Sequence, residues 1–398
     1  MPRMISVAIA ICALLFGGVA FSAPDQSPES LALILKPLTR SMGDKIWPKA
    51  GLRGINVMTF SPETSNSTDP GLYISEDAFK RMAGWKVNMI RLWVDVDPDT
   101  PWKVKKGEVP PPVPSDDPML PYKRHLDGIR IALHLAEKYH MWVVITAGDI
   151  VGRSSDIMYS KSAGSGFEPE LVRLWTFIAH EFGGHPNLIG YDILNEPNSK
   201  SELERWQKKT LPEVCNAIRA IDKNTYLIVE PGPFGLPSGF KTLEPIGDLK
   251  VVYSFHHYLP HTYTHQGIGS YKSAEYMGNA YPGVLRGFPT DWPKMWDRRE
   301  LESSMEAAAT FARKNNAIMW VGEFSAIRWA PGAAQWTRDS IDIFEKNGWS
   351  WCYHSYRGWN GWNPTFEAGD SVANDPDGGK ITDRLTVLTE AWKKNSLR

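Results

Sequence analysis

Two glutamates in the chain have the positions that acid–base chemistry requires. Glu196 stands in the tripeptide Asn195-Glu196-Pro197, directly after the apolar run 188–194, and Glu323 ends the apolar run 318–322. Hydrolysis of a bond between two sugars needs a pair of carboxylates, one to donate a proton and one to attack or stabilise the sugar. Because an unpaired carboxylate at a buried strand end is costly, two ordinary loop glutamates are the weaker interpretation.

The segments that must hold these glutamates alternate between strand and helix patterns. Predicted strands cover 53–58, 87–94, 141–146, 188–194, 226–229, 250–255, 317–321 and 349–353, and predicted helices cover 75–85, 126–139, 171–182, 202–221, 300–314, 333–347 and 382–394. The segment after the fifth strand is too rich in Gly and Pro for a helix. The pattern predicts an α/β fold, a single (β/α)8 TIM barrel with long strand–helix loops. An open doubly wound sheet is the alternative, but the Gly-rich phosphate turn typical of that fold is absent after the first strand.

Active sites of such barrels lie at the C-terminal ends of the strands, so the polar residues there are the candidates. They are Arg91 on the second strand, Asn195 and Glu196 after the fourth, His256, His257 and Tyr258 on the sixth, Glu323 on the seventh, and Trp351, His354 and Tyr356 on the eighth. Arg91 would keep Glu323 ionised, because a neighbouring cation favours the charged carboxylate. A neutral acid at Glu196 requires a raised pKa. Glu230, after the fifth strand, is a rival acid without an Asn neighbour.

These motifs together resemble glycoside hydrolase family 5, a cellulase-like member of the clan of retaining (β/α)8 glycosidases. The resemblance rests on Asn195-Glu196-Pro197, His256-His257-Tyr258, Trp320-Val321-Gly322-Glu323 and Arg91, and it extends over roughly residues 52–392. It implies that Glu196 is the acid/base and Glu323 the nucleophile. Retaining chemistry then implies carboxyl groups about 5–5.5 Å apart and a covalent glycosyl-enzyme intermediate.

The resemblance also assigns contacts to the sugar. Asn195 would bond the 2-hydroxyl of the sugar under attack, Arg91 and Tyr258 would orient Glu323, and His256 would line the catalytic subsite. Trp351 would form the platform beneath that sugar, with Trp349 or Trp359 as alternatives, and Trp359 and Trp362 would line subsites unless they serve loop packing. The family often ends strand three with a His, whereas this chain has Asp149 nearby, which either replaces that His or marks a remodelled loop.

Substrate and partners follow from the resemblance and from composition. We expect cleavage of a β-1,4-glucan in the manner of an endoglucanase, with mannan, xyloglucan or β-1,3-glucan as alternatives and a non-catalytic carbohydrate-binding barrel as a distant one. A net charge of -1 without a basic stripe argues against nucleic acid. A metal ion on His256, His257, His261 and His265 is a weaker hypothesis. We predict no cofactor, no metal, and a monomer.

The N-terminus predicts export. Arg3 precedes an apolar run from Ile5 to Phe16, and small residues follow up to Ala23, as in a cleaved secretory signal. We therefore expect a signal peptide over 1–23, a catalytic domain over 24–398, a secreted or periplasmic protein, and no membrane association after cleavage. Cys215 and Cys352 are then the two cysteines of the mature chain, and we expect both to be free, buried thiols.

Overall fold

Eight parallel strands close into a barrel, and the computed structural model describes the residues that form it. The described residues are 28–41, 43–48, 51–58, 74–97, 100–103, 110–152, 167–198, 202–370 and 380–395. The predicted signal peptide over 1–23 lies outside this part of the chain, as does most of the loop that follows the first strand.

All eight predicted strands are present, with ends that shift by a few residues, and two additional short strands lie between the sixth and the seventh of them. The strands are β1 Arg53–Val57, β2 Met89–Val94, β3 Trp142–Ala147, β4 Leu188–Asp192, β5 Tyr226–Val229, β6 Val251–His257, β7 Gly283–Leu285, β8 Lys294–Trp296, β9 Ile318–Phe324 and β10 Ser350–Tyr356. β7 and β8 form a separate antiparallel hairpin, so β6 pairs directly with β9. β1 pairs with β10 and closes the barrel, which confirms the predicted fold class.

Helices follow most strands and cover the outside of the barrel. They are α1 Pro28–Leu35, α2 Glu76–Gly84, α3 Lys123–Tyr139, α4 Glu168–Phe182, α5 Leu203–Arg205, α6 Leu211–Arg219, α7 His261–Thr264, α8 Arg298–Ser304, α9 Glu306–Asn315, α10 Ala333–Lys346 and α11 Asp383–Trp392. The helix predicted over 202–221 is divided by a π-helical turn at Trp206–Thr210, and the one over 300–314 is divided at Met305. Between β5 and β6 the only helix among the described residues is the 3-10 turn Pro237–Lys241.

The barrel interior changes from apolar to polar along the strands, and this gradient positions the site. Met89, Val144, Trp320 and Cys352 belong to a buried apolar cluster, to which Leu52, Ile189, Ile228 and Val252 also contribute. Two residues beyond Met89 on the same strand lies Arg91. Because strand side chains alternate between faces, residues two apart share a face, and the polar groups therefore lie above the apolar floor.

Side-chain caps and buried thiols agree with the sequence. Ser75 accepts the backbone N–H of Ala78 at the start of α2, and Thr382 accepts that of Leu385 at the start of α11, as expected of N-cap residues. Cys215 and Cys352 are both free and buried, as predicted. Across the described residues, no helix has the length and apolar character needed to span a membrane.

Candidate active site

Arg91 is the centre of a buried polar network at the C-terminal end of the barrel. Its guanidinium donates to Glu323 Oε1 at 2.7 Å, Asp192 Oδ2 at 2.8 Å, Asn195 Oδ1 at 2.9 Å and Glu230 Oε1 at 3.2 Å. Asn56 and Thr146 accept further bonds from it. Burial alone would lower the pKa of Arg91, but the three carboxylates raise it above its ordinary value. The guanidinium is thus a permanent cation with a fixed orientation.

Glu323 is held as a carboxylate. Its side chain is nearly buried, Oε2 accepts the hydroxyl of Tyr258 at 2.8 Å, and Nδ1 of His354 and of His256 lie 3.5 and 3.8 Å from the same oxygen. Burial would raise the pKa of this carboxyl, but the charges of His256, His354 and Arg91 and the Tyr258 bond lower it to about 2. Glu323 is therefore ionised at any ordinary pH and is suited to act as a nucleophile.

Glu196 has the opposite electrostatic character. Burial, with the charges of Glu323 and Glu230, raises the pKa of its carboxyl, although the bond from His256 acts the other way. About a third of the Glu196 side chain (33%) is exposed at the open C-terminal end of the barrel, which we call the cleft. A raised pKa on an accessible carboxyl is the property of a general acid.

The backbone of Glu196 is in the left-handed region, with φ of 45°. This conformation is costly for residues with a Cβ atom and persists where surrounding contacts impose it. Glu230 Oε2 accepts the Glu196 N–H at 2.9 Å, and the preceding N–H, that of Asn195, bonds the Ala147 carbonyl at 2.8 Å. These bonds fix the turn that directs the acid side chain into the cleft.

His256 lies between Glu196 and Glu230. Its Nδ1 is 2.8 Å from Glu196 Oε1, and its Nε2 is 3.1 Å from Glu230 Oε1. Burial would lower its pKa, but the charges of Glu230 and Glu323 and the Glu196 bond raise it well above the ordinary value. The raised pKa favours the imidazolium form of His256, whose charge balances part of the negative charge of the site.

The distance between the two glutamates distinguishes the two known stereochemical courses. One oxygen of Glu196, one of Glu323 and a ring nitrogen of His256 lie within 4.8 Å of one another. Retaining enzymes separate their carboxyl groups by about 5–5.5 Å, whereas inverting enzymes need about 6.5–9.5 Å to admit a water molecule. This approach of the nearest oxygens is closer to the separation in retaining enzymes than to that in inverting enzymes.

The structure brings together the predicted residues Arg91, Asn195, Glu196, His256, Tyr258 and Glu323. The predicted platform Trp351 is wrong. Its side chain is fully buried, contacts the Phe324 ring edge-on at 5.5 Å and stacks on Trp392 at 6.3 Å. Trp351 therefore faces the helical layer, whereas Cys352, next to it on β10, faces the barrel interior. The alternative Trp349 is also buried, against Phe255.

The aromatic surface near the glutamates comes from the loop after β10. Trp362 is half-buried, with its ring centroid 5.8 Å from Tyr258 and 5.4 Å from His354. Trp359 is also half-buried and meets Trp362 edge-on at 4.9 Å. Partly exposed rings beside the Tyr258 and His354 partners of Glu323 can contact a sugar face. Trp362 is thus better placed for a platform than Trp351.

Several members of the site were not among the predicted site residues. Asn56, Thr146 and Asp192 contact Arg91 from inside the barrel, and Asp192 is raised to a pKa of about 7, chiefly by burial. A polar residue within an apolar strand was the available signal, since such a residue requires a buried partner. Asp149, which stands near the position of the usual strand-three His, forms an ion pair with Lys103, whose Nζ lies 2.9 Å from Asp149 Oδ2.

Histidines of the weaker metal hypothesis are dispersed by the fold. His257 stacks on Trp336 at 5.2 Å, and His261 stacks on His265 at 4.8 Å, whereas His256 bonds Glu196. Within the described residues, the one group with ligand spacing is Glu196, His256 and Glu323. A divalent ion there would compete with the protonated His256 and with the cation that already binds Glu323, so this donor set does not favour a metal.

Comparisons with known proteins agree with this geometry. The family model described as cellulase (glycosyl hydrolase family 5) matches residues 49–360. Endoglucanase C of Acetivibrio thermocellus is 28% identical over 256 residues, which cover 59% of this chain and 74% of the relative. Cellodextrinase A of Ruminococcus flavefaciens is 23% identical over 307 residues, covering 75% of this chain and 83% of the relative.

Solved structures share the fold. The Cel5A protein of Thermotoga maritima in complex with cellobiose superposes with a TM-score of 0.62 at 22% identity, covering 85% of this chain and 98% of that one. Its complex with mannotriose gives a TM-score of 0.64 at 21% identity, over 85% and 98% of the two chains. The family match covers most of the chain, including the network around Arg91 and both glutamates, and the chain belongs to glycosyl hydrolase family 5.

Proposed function

We propose that this glycoside hydrolase is a retaining endo-β-1,4-glucanase that works by double displacement. The observation that carries the proposal is the pair Glu196 and Glu323, whose oxygens lie within 4.8 Å and whose pKa values are shifted in opposite directions. One carboxyl is prepared to give a proton and the other to attack.

In the first step, the Glu323 carboxylate attacks the anomeric carbon while Glu196 protonates the departing glycosidic oxygen. A bond forms between Glu323 and the sugar, and the bond to the leaving sugar breaks. The Arg91 and Tyr258 bonds hold the two oxygens of Glu323 and so restrict its orientation for attack. In this proposal Asn195, whose amide oxygen accepts from Arg91, bonds the sugar 2-hydroxyl.

In the second step, Glu196 is the general base. It removes a proton from a water molecule, which attacks the anomeric carbon on the face that the leaving sugar vacated. The bond between that carbon and Glu323 breaks, and Glu323 leaves as a carboxylate. The loss of the Glu323 charge in the intermediate lowers the pKa of Glu196, because that charge is one of the groups that raise it. The same carboxyl therefore changes from acid to base within one cycle.

The substrate assignment rests on family membership and on the relatives. An endoglucanase and a cellodextrinase are among the similar proteins, which supports a β-1,4-linked glucan. Mannan is the second candidate, because the Thermotoga maritima relative was solved with mannotriose as well as with cellobiose. Product analysis on cellotetraose, cellopentaose and the matching manno-oligosaccharides separates the two, and release of internal fragments from soluble β-glucan tests endo action.

Direct observation of product stereochemistry tests the mechanism. Proton NMR during the first minutes of cellotetraose hydrolysis should show the β-anomer of the new reducing end before mutarotation. Early accumulation of the α-anomer would exclude double displacement. Binding of cello-oligosaccharides without any cleavage would instead support the carbohydrate-binding alternative.

Export is a further part of the proposal. The N-terminal segment 1–23, with its apolar run, supports secretion or release to the periplasm. We expect the exported protein to be a monomer. Fractionation of expressing cells, N-terminal sequencing of the exported form and light scattering of that form test these points. A protein retained in the cytoplasm with its first residues intact would contradict the signal-peptide assignment.

A further inference from the structure

Glu230 is a third glutamate at the site, and its placement differs from that of the other two. It follows β5 and its side chain has no exposed area, so it does not reach the cleft and cannot protonate a glycosidic oxygen. This excludes it as the rival acid that the sequence left open. A buried carboxylate next to an acid/base needs another account of its role.

The carboxylate of Glu230 bridges three groups of the site. Oε2 accepts the backbone N–H of Glu196 at 2.9 Å, while Oε1 accepts from Arg91 at 3.2 Å and lies 3.1 Å from Nε2 of His256. Each of these groups also contacts one of the two functional glutamates, since His256 bonds Glu196 and Arg91 bonds Glu323.

The loop that follows Glu230 is fitted around this carboxylate. Gly235 has φ of +61°, and a Cβ atom there would lie 2.7 Å from Glu230 Oε2. The Gly235 carbonyl accepts the N–H of His256 at 2.9 Å, and the N–H of Phe234 bonds the Pro197 carbonyl at 3.0 Å. One loop thus connects Pro197, the residue after the acid/base, to the strand that carries its histidine partner.

We propose that Glu230 is a positioning residue for the acid/base. It holds the left-handed Glu196 peptide and the His256 ring in the orientation in which the Glu196 side chain faces the cleft. The inference rests on the proposed role of Glu196. Balancing the charge of Arg91 is the competing account. Asp192 and Glu323 already contact Arg91 at 2.8 and 2.7 Å, however, and the closest Glu230 contact is to the Glu196 peptide.

Two conservative variants separate these accounts. Glu230→Gln keeps an oxygen that can accept the Glu196 N–H but removes the charge. Glu230→Asp keeps the charge but withdraws the oxygens by one methylene. Glu168→Gln is the matched control, because Glu168 is also a buried glutamate paired with an arginine, Arg205, and bonded by Thr210 outside the site.

The measurement is kcat/KM for aryl β-cellobiosides from dinitrophenyl to phenyl, below the basic limb of the pH profile, with Glu196→Gln as reference. We expect Glu230→Asp to lose about tenfold more on the phenyl than on the dinitrophenyl substrate, a part of the ~10²–10⁴-fold that general acid catalysis contributes. Glu230→Gln should lose less, and the control should show no leaving-group effect. Thermal unfolding of each variant records stability separately.

The outcomes are distinct. A larger leaving-group effect in Glu230→Gln than in Glu230→Asp, or equal losses on every substrate, overturns the positioning role. A steep effect in Glu196→Gln with none in Glu230→Asp also overturns the inference and leaves the acid assignment standing. No leaving-group effect in Glu196→Gln overturns the acid assignment itself, and the inference with it.

Discussion

Nδ1 of His256 lies 2.8 Å from Oε1 of Glu196, so the proposed acid/base shares a hydrogen bond with a protonated imidazole. This bond lowers the pKa of Glu196 against the burial and the neighbouring charges that raise it. His256 is also the first of the groups that lower the pKa of Glu323. One side chain therefore influences both ends of the pH profile.

Replacement of this histidine should move the whole profile. Activity is lost on the acid side as Glu323 takes a proton and on the basic side as Glu196 loses one. His256→Asn removes a group that lowers both pKa values, so both limbs of kcat/KM should shift to higher pH. The profile is measured on a soluble β-glucan, with the variant of a distant buried histidine, His134→Asn, as the control. A shift of either limb to lower pH would contradict the electrostatic account.

Removal of the nucleophile should abolish turnover. Glu323→Ala is expected to lower kcat on cellotetraose by about 10⁴–10⁶-fold, because removal of a nucleophile from a hydrolase can cost about 10⁶-fold in kcat. With dinitrophenyl β-cellobioside, added azide should restore part of the turnover and give the α-glycosyl azide, because azide attacks the face that Glu323 occupied. Glu302→Ala, a surface glutamate paired with Lys346, should retain full activity. Near-normal hydrolysis by Glu323→Ala would refute the assignment.

Loss of the central cation should destabilise the fold in a pH-dependent manner. Arg91→Met leaves Asp192, Glu230 and Glu323 without the cation that they contact, and breaking a buried pair costs about 3–5 kcal/mol. Carboxyls that are buried without a cation have raised folded-state pKa values. The variant is therefore more stable at low pH, where these carboxyls are protonated, and it loses stability as rising pH ionises them. Urea unfolding should therefore show a smaller deficit at pH 5 than at pH 8. An equal deficit at both pH values would contradict this linkage.

Trp351 on β10 and Trp362 in the loop after β10 should give different phenotypes. Trp362→Ala is expected to weaken binding of cello-oligosaccharides by about tenfold, or about 1.4 kcal/mol, through loss of a ring that faces the site. Trp351→Ala should cost about 3–5 kcal/mol of unfolding free energy and leave KM unchanged, because that ring lies in the helical layer. Isothermal titration and urea unfolding of both variants measure the two effects. Unchanged oligosaccharide affinity in Trp362→Ala would exclude it as a platform.

The contrast between these tryptophans explains what the sequence leaves undetermined. The strand ends were predictable, because apolar runs followed by Asn195-Glu196 or Glu323 are local signals. The face on which Trp351 lies was not, because both faces of a barrel strand are buried and its residues do not alternate between apolar and polar. Trp351 and Cys352 are adjacent and both are apolar. Only the closed barrel shows that Trp351 faces the helical layer and Cys352 faces the interior.

The polar network was only partly predictable for a related reason. The strand positions of Arg91 and Glu323 predict that the two side chains pair, and Arg91 Nη1 lies 2.7 Å from Glu323 Oε1. Asp192, on β4, and Glu230, directly after β5, contact the same guanidinium, although long stretches of chain separate both from Arg91. Which of several buried acids meets a given cation depends on barrel register, and no local pattern encodes it.

The left-handed backbone of Glu196 has a consequence for selection on this protein. A non-glycine residue in that conformation costs about 1–3 kcal/mol, so the wild-type chain retains its acid at the expense of folding free energy. Glycine relieves this strain and also removes the acid. A mutant library screened only for resistance to urea should therefore enrich Gly at position 196 among inactive survivors, whereas a screen for hydrolysis should retain Glu. Selection for stability and selection for turnover would then favour different residues at position 196.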